Sequence, residues 1–137
     1  MWWLYAVLSA LFAALTTIFG KIGVKDIDST LATAIRTVVV LILAWSIVFF
    51  RSSIDDITSI PKKSFIFLII SGISTGLSWL FYYRALQEGK ASSVAAIDKT
   101  SLPMIFILAA IILGEPLTLK TAAAGLLIIA GTFVLLF

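Results

Sequence analysis

Residues 64–83 read SFIFLIISGISTGLSWLFYY, a run of 20 residues that contains no charge. A helix needs about 20 predominantly apolar residues to cross the hydrocarbon core of a bilayer. The run is continuously apolar, whereas a strand of a membrane barrel would alternate apolar and polar residues. The sequence therefore predicts a membrane-spanning helix here.

Four more stretches of similar length and character lie on either side of this run. We predict an all-α membrane protein, a bundle of five transmembrane helices that forms a single domain over residues 1–137. Short polar connectors separate the helices, and the connector at 114–116 reads Gly-Glu-Pro, in which Gly114 suits a left-handed turn. The predicted spans are residues 2–19, 29–50, 64–83, 91–113 and 121–137.

The composition supports a membrane protein. Hydrophobic residues make up 61% of the 137 residues and charged residues 12%, and the mean hydropathy is +1.16. Soluble domains are about 45–50% apolar and about 25% charged. A small soluble domain leaves too much surface exposed to hide this excess, so we expect the chain to cross a lipid bilayer several times.

The residue types that are absent exclude much chemistry. The chain has no histidine and no cysteine, which removes the commonest general base, the commonest metal ligand and any thiol nucleophile. Its 10 basic residues are scattered, whereas a nucleic-acid interface needs them clustered. We therefore predict that it is not an enzyme and has no catalytic residue, cofactor, metal site or nucleic-acid partner.

Three charges fall inside predicted spans: Arg36, Asp98 and Lys99. Each costs about 2.5–3.5 kcal/mol at the centre of a membrane helix, and less near the ends. Arg36 and Asp98 each lie seven residues after the start of their span, about 10 Å from the same membrane face, so a pair between them is sterically reasonable. The plainer interpretation is that Arg36 and Lys99 extend to the interface, and that Asp98 forms a structural ion pair.

Pro103 and Thr100 lie next to the charges of the fourth span. Proline has no N–H, so the Lys99 carbonyl four residues earlier loses its helical partner. Freed backbone, a hydroxyl and two charges predict a polar pocket with Pro103 as a hinge. The alternative is an ordinary kink that a neighbouring helix satisfies.

Aromatic residues end the third span on the same side of the membrane. Trp79, Tyr82 and Tyr83 fit an interfacial aromatic belt, which is the simpler interpretation. The alternative is an aromatic wall that contacts a substrate. We keep these three residues, with Arg36, Asp98, Lys99 and Thr100, as candidates for substrate binding or coupling.

Two groups of small residues predict helix contacts. Gly72 and Gly76 form a GxxxG segment in the third span, where small residues let two backbones approach. Ala124 and Gly131 lie seven residues apart in the fifth span, which we predict to be the seam of a dimer.

The second half of the chain carries a recognisable order of short motifs. The motifs are Tyr-Arg-Ala-Leu at 83–86, Ser-Leu-Pro at 101–103, Leu-Gly-Glu at 113–115, and Gly125 and Gly131. In this order they resemble the EamA half-repeat of the drug/metabolite transporter superfamily, and the Ile-Asp-Lys at 97–99 is similar to five-span bacterial and archaeal members. The resemblance implies a transporter of metabolites or drugs in the bacterial or archaeal cytoplasmic membrane. Members usually carry two such halves, whereas this chain carries one.

An odd number of spans places two consecutive copies in opposite orientations, which is the arrangement of inverted-repeat transporters. We therefore expect one half of such a transporter to work as an antiparallel homodimer, without a strong positive-inside bias. Four basic residues lie at each side of the membrane, which fits. They are Arg51, Lys62, Lys63 and Lys120 on one side, and Lys21, Lys25, Arg84 and Lys90 on the other.

Two other functions remain open at this stage. One is a non-transporting accessory subunit of a larger membrane complex, and the other is a flippase for a lipid-linked sugar. The charges inside the spans sum to +1, which does not choose between an anionic and a zwitterionic substrate.

Overall fold

The computed structural model describes residues 1–51 and 59–137, and over these residues it confirms an all-α fold with five helices long and apolar enough to cross a membrane. The fourth span, Ala91–Leu113, consists of two short helices followed by a π-helical turn, Ala109–Leu113. The helices are α1 (Trp2–Gly23), α2 (Ser29–Phe50), α3 (Lys62–Glu88), α4 (Ala91–Asp98), α5 (Ser101–Leu108) and α6 (Leu119–Leu136).

The helix boundaries differ from the predicted spans where a span ends in charged residues. Helix α2 matches its prediction at both ends, but α1 continues past Lys21 to Gly23, and α3 continues past Arg84 to Glu88. Charges mark where a chain leaves the hydrocarbon, whereas backbone hydrogen bonding continues into the interface. The predicted connectors 20–28 and 84–90 are therefore too long. Of the predicted connector 51–63, residues 52–58 lie outside the described residues.

Side chains cap the starts of two helices. The Asp28 carboxylate accepts the backbone N–H groups of Thr30 at 2.9 Å and Leu31 at 3.1 Å, so Asp28 is the N-cap of α2. These bonds, chiefly the one from Leu31, hold the pKa of Asp28 below its ordinary value, and the positive charge of Arg84 adds to the effect. Thr118 caps α6 by accepting the N–H of Thr121 at 3.2 Å.

The turn before α6 confirms the left-handed glycine. Gly114 has φ +69°, a conformation that an L-residue with a side chain rarely adopts. The Ala109 carbonyl accepts the N–H of Gly114 and that of Glu115, the latter at 3.2 Å, which closes the π-helical turn. The fourth span ends at Leu113 because the left-handed backbone of Gly114 does not continue the helix.

The chain divides into two compact units. The terminal unit comprises Met1–Ile18 and Glu88–Phe137, and the central unit comprises Phe19–Gln87. The predicted single domain over residues 1–137 therefore remains a prediction.

In the terminal unit, α6 packs against both α4 and α5. Gly125 is buried, and a Cβ placed on it would lie 3.5 Å from Pro103 Cβ and 3.6 Å from Phe106. The Thr132 hydroxyl shares its one proton between the Ala96 carbonyl of α4 at 3.1 Å and the Ile128 carbonyl of its own helix at 2.9 Å. A hydroxyl that bonds across helices in this way contributes to packing in a membrane, where water does not compete.

In the central unit, the core lies where α1 ends, α2 begins and α3 ends. Val24, Ala32, Tyr83 and Leu86 are its buried apolar residues. Gly20 of α1 leaves room for the ring of Tyr83, since a Cβ there would lie only 3.1 Å from the ring carbon Cε1.

Polar side chains close the same end of the central unit. The Lys21 ammonium donates to the Leu86 carbonyl near the end of α3. The Gln87 amide donates to the carbonyl of Val24 at 2.9 Å and to that of Ile27 at 2.6 Å. These bonds satisfy carbonyls of the α1–α2 connector and of a helix end, which have no helical donor.

Most large apolar side chains of the spans are exposed within the single chain, as hydrocarbon contact requires. Within the described residues of the single chain, a Cβ on Gly72 or Gly76 would meet nothing within 4 Å, so the helix contact at the GxxxG segment stays a prediction. Gly131 is open in the same way. Its place in a dimer seam stays a prediction.

Candidate functional site

The central unit brings an arginine from α2 onto two aromatic rings of α3. The guanidinium carbon of Arg36 lies over the Trp79 ring at 4.0 Å from its centroid, and 5.4 Å from the centroid of Tyr83. Trp79 and Tyr83 are four residues apart on one helix and therefore share a face. Cation–π attraction stabilises a charge at this distance, the more so when it is removed from water. We call these three residues the Arg36 cluster.

The ring of Tyr83 is the fixed part of this cluster. Tyr83 is buried, and it lies against the glycine backbone at position 20. The ring of Tyr82 packs edge-on against it, with centroids 6.3 Å apart and an angle of 85° between the planes. Tyr82 is thus a neighbour that positions Tyr83.

The Arg36 cluster is rich in hydrogen-bond donors and contains no anionic acceptor. Within the described part of the central unit, no hydrogen bond or ion pair engages the Arg36 guanidinium, the Trp79 indole N–H or the Tyr83 hydroxyl. Thr33, three residues before Arg36 on α2, and Thr37 each donate at 2.8 Å to a carbonyl of their own helix. The cluster therefore offers a positive charge and N–H and O–H donors to an adjacent hydrogen-bond acceptor.

The fourth span places a second group of polar residues in the terminal unit. Asp98 and Lys99 lie 3.7 Å apart, and their side chains are 42% and 59% exposed. This separation is long, so the pair is a weak one. Among the described residues, no group of three or more carboxylate, histidine or cysteine side chains could hold a metal ion.

The backbone between α4 and α5, just before Pro103, differs from the prediction in one respect. The Lys99 carbonyl, expected to be free because Pro103 lacks an N–H, accepts the N–H of Leu102 at 3.1 Å. The Ile97 carbonyl accepts both the N–H of Thr100 at 2.9 Å and its hydroxyl at 2.7 Å. The chain tightens into i→i+3 bonds and so satisfies these carbonyls locally. The hinge role of Pro103 stays a prediction.

The structure thus assembles the predicted candidates in two groups. Arg36, Trp79 and Tyr83 come together in the central unit with Tyr82 beside them, whereas the candidates of the fourth span belong to the terminal unit. The Arg36–Asp98 pair remains a prediction.

Sequence reasoning did not connect Gly20 or Gln87 with the cluster. Ser9, Ala13, Thr16 and Gly20 form a row of small residues that predicts a packed face of α1, but the row does not identify the Tyr83 ring as the partner. Gln87 carries no signal, because an amide at a helix end has no distinctive pattern.

Five apolar helices that carry an arginine on aromatic rings and a further charged pair define a multi-pass membrane protein with polar groups at membrane depth. Such groups mark the pathways of transporters and channels. Residues 1–137 match the EamA-like transporter family, and the chain belongs to that family. A protein from Sinorhizobium sp, named "Uncharacterized transporter in cobO 3'region", is 44% identical over 134 residues, which cover 98% of this chain and 95% of that protein.

No solved structure matches the chain. The family and the name of the relative point to a transporter of the drug/metabolite type rather than an enzyme.

Proposed function

We propose that the chain is a small secondary transporter of metabolites or drugs that works by alternating access as an antiparallel homodimer in the cytoplasmic membrane. The observation that carries this proposal is the pairing of a family match over residues 1–137 with five spans. The Sinorhizobium relative supports it, because this chain covers 95% of that relative's length. Two five-span copies form an inverted pair only when they insert in opposite orientations.

The basic residues support dual insertion. Four lie near each membrane face, so neither face has the excess of Lys and Arg that fixes orientation. Five of the eight lie on helices rather than in connectors, but each is within the first or last turns of its helix: Lys21, Lys62, Lys63, Arg84 and Lys120.

Single cysteines just before α3 and in the first turn of α4 test the orientation of the chain in the membrane. Ile60→Cys and Ser92→Cys lie near opposite faces, change no charge, and have no background because the chain contains no cysteine. Each should react with an impermeant maleimide from both sides of sealed membranes. Adding Leu117→Lys and Lys25→Gln shifts the balance from 4:4 to 5:3, and each cysteine should then label mainly from one side. One-sided labelling without that shift contradicts dual insertion.

Transport by the purified protein alone tests the function itself. Vesicles that contain only this chain should show saturable, gradient-driven uptake from a panel of metabolites and drugs. If the chain gives no flux alone but co-purifies with another membrane protein whose activity requires it, it is an accessory subunit. If only lipid-linked sugar is moved, the flippase alternative holds.

Asp98 is the one carboxylate of the chain inside a predicted span, which makes it the candidate for coupling. Asp98→Asn should leave a folded protein without coupled uptake, and removing the charge of Arg36 as well should not restore it. Asp26→Asn, an exposed acid outside the spans, is the matched control and should retain uptake. If Asp98 only neutralises Arg36, the single change lowers the thermal stability and the double change restores it.

A further inference from the structure

We propose that the Arg36 cluster binds the carboxylate group of an apolar or aromatic organic acid, which names the substrate class of the transporter. The proposal rests on the proposed function for its role in transport, but binding itself does not depend on it. The observation behind the proposal is an arginine inside a predicted span whose contacts with two aromatic rings offset its positive charge only in part.

The guanidinium lies inside the predicted spans and not at their ends. Arg36 lies two turns after Ser29, about 10 Å along α2. Tyr83 is one turn nearer than Trp79 to the end of α3 where the core of the central unit lies, yet the guanidinium lies over Trp79, at the shorter distance of 4.0 Å. Trp79 is four residues, about 6 Å, before the predicted end of the third span at Tyr83. The charge therefore lies about one helical turn inside that end.

The chemistry of the remaining donors selects an anion. A ring covers one face of a guanidinium, but its N–H groups lie in the guanidinium plane and remain available for hydrogen bonds. Their fork matches the two oxygens of a carboxylate, which accepts two parallel bonds. The indole N–H of Trp79 and the hydroxyl of Tyr83 add neutral donors close by, and neither has an acceptor within the described part of the central unit.

Charge balance favours a monoanion over a dianion. In the described part of the central unit, the carboxylates are Asp26 and Asp28, both exposed in the α1–α2 connector, and Asp28 is used as the cap of α2. One positive charge at depth is neutralised by one carboxylate, whereas a phosphate dianion would leave an excess charge in the hydrocarbon. A lipid phosphodiester is also a monoanion, so the experiment must distinguish it. The ring faces favour a ligand with an apolar body.

Three probes of similar shape differ in charge. Benzoate is negative, benzamide is neutral and benzylamine is positive. Binding to the purified protein in neutral detergent is followed by the fluorescence of Trp79 in a background with Trp2→Phe, Trp3→Phe and Trp45→Phe, and by isothermal titration of the unsubstituted chain. We expect saturable binding of benzoate, and at least tenfold weaker binding of benzamide and benzylamine.

Substitutions assign the binding to the cluster. Arg36→Gln should weaken benzoate binding at least tenfold, and Arg36→Lys should weaken it as well because the planar fork is lost. Tyr83→Phe keeps the ring against Gly20 and should weaken binding severalfold. Arg51→Gln removes the same side chain from the other end of α2 and should change nothing. Should Arg36→Gln fail to fold, Arg36→Lys and Tyr83→Phe decide the question.

Three results would overturn the proposal. They are equal binding of benzoate and benzamide, unchanged benzoate binding in the arginine variants, and binding of phosphatidylglycerol in the micelle with no binding of benzoate. Vesicle uptake keeps this proposal separate from the proposed function. Benzoate binding that depends on Arg36 without any flux supports the site and contradicts transport. Flux of other compounds with no benzoate binding supports transport and contradicts the site.

Discussion

Replacing Gly20 by alanine tests whether α1 holds the Tyr83 ring in place. A Cβ at Gly20 would lie 3.1 Å from Cε1 and 3.2 Å from the hydroxyl oxygen of that ring. Both distances are shorter than ordinary van der Waals contact, and the ring is buried, so it must move with its neighbours. Gly23→Ala is the matched control on the same helix, because a Cβ there meets nothing within 4 Å.

The expected magnitude follows from comparing the two substitutions. Alanine is more favourable than glycine inside a helix by about 0.5–1 kcal/mol, so Gly23→Ala should not lower the free energy of unfolding. Overpacking a well-packed site costs about 1–3 kcal/mol. Gly20 lies inside α1 whereas Gly23 is its last residue, so helix propensity favours Gly20→Ala at least as much as Gly23→Ala, and a lower stability of Gly20→Ala reports the contact with the ring. We expect Gly20→Ala to be less stable than Gly23→Ala by up to about 3 kcal/mol.

The assay is reversible unfolding in detergent, followed by circular dichroism, for the single and double variants. Tyr83→Phe removes the hydroxyl oxygen at 3.2 Å, so it should cost less stability in the Gly20→Ala background than in the unsubstituted chain. Benzoate binding should weaken in Gly20→Ala, because the displaced ring lies next to Arg36. Equal stability of the two alanine variants, or strict additivity in the double variant, refutes the reasoning.

Three further substitutions test hydrogen bonds that lie within one or the other unit. The pKa of Asp28 is lowered on folding, so its carboxylate adds stability that is present above its ordinary pKa of 3.8 and is lost as pH falls through the lower folded value. The difference in free energy of unfolding between the unsubstituted chain and Asp28→Asn should therefore become smaller when thermal unfolding is measured at acid pH. Thr132→Val should cost about 0.5–1.5 kcal/mol in detergent unfolding, while Thr75→Val, which loses only a bond within its own helix, should cost less. Gln87→Leu should speed hydrogen exchange and proteolysis in the α1–α2 connector, and unchanged rates would contradict its role there.

Hydropathy predicts the five spans because each is a helical stretch long and apolar enough to cross a membrane, where a backbone must satisfy its own hydrogen bonds. It does not predict where the helices end, since α3 continues through Arg84 to Glu88 after its apolar run has ended. The partners of Arg36 also lay beyond prediction. Spacing places Trp79 and Tyr83 on one face, but only the packing of α2 on α3 shows that this face meets Arg36.

Local backbone chemistry explains why the fourth span was harder to predict than the others. Pro103 indicates a break, but the Lys99 carbonyl can find another donor, and in the structure Leu102 supplies it. Polar side chains near a proline thus do not by themselves make an open polar site in a membrane helix.

The two groups of in-span charge differ in how they are neutralised, and this difference bears on function. Asp98 and Lys99 carry opposite charges on adjacent residues 3.7 Å apart, so the fourth span is close to neutral without a ligand. Arg36 has no counter-charge within the described part of the central unit, and its ring contacts offset only part of the cost of a cation inside a span. A ligand carboxylate completes that neutralisation and gains the unused hydrogen bonds at the same time. Binding energy is therefore available at Arg36 in a way that it is not at the Asp98–Lys99 pair.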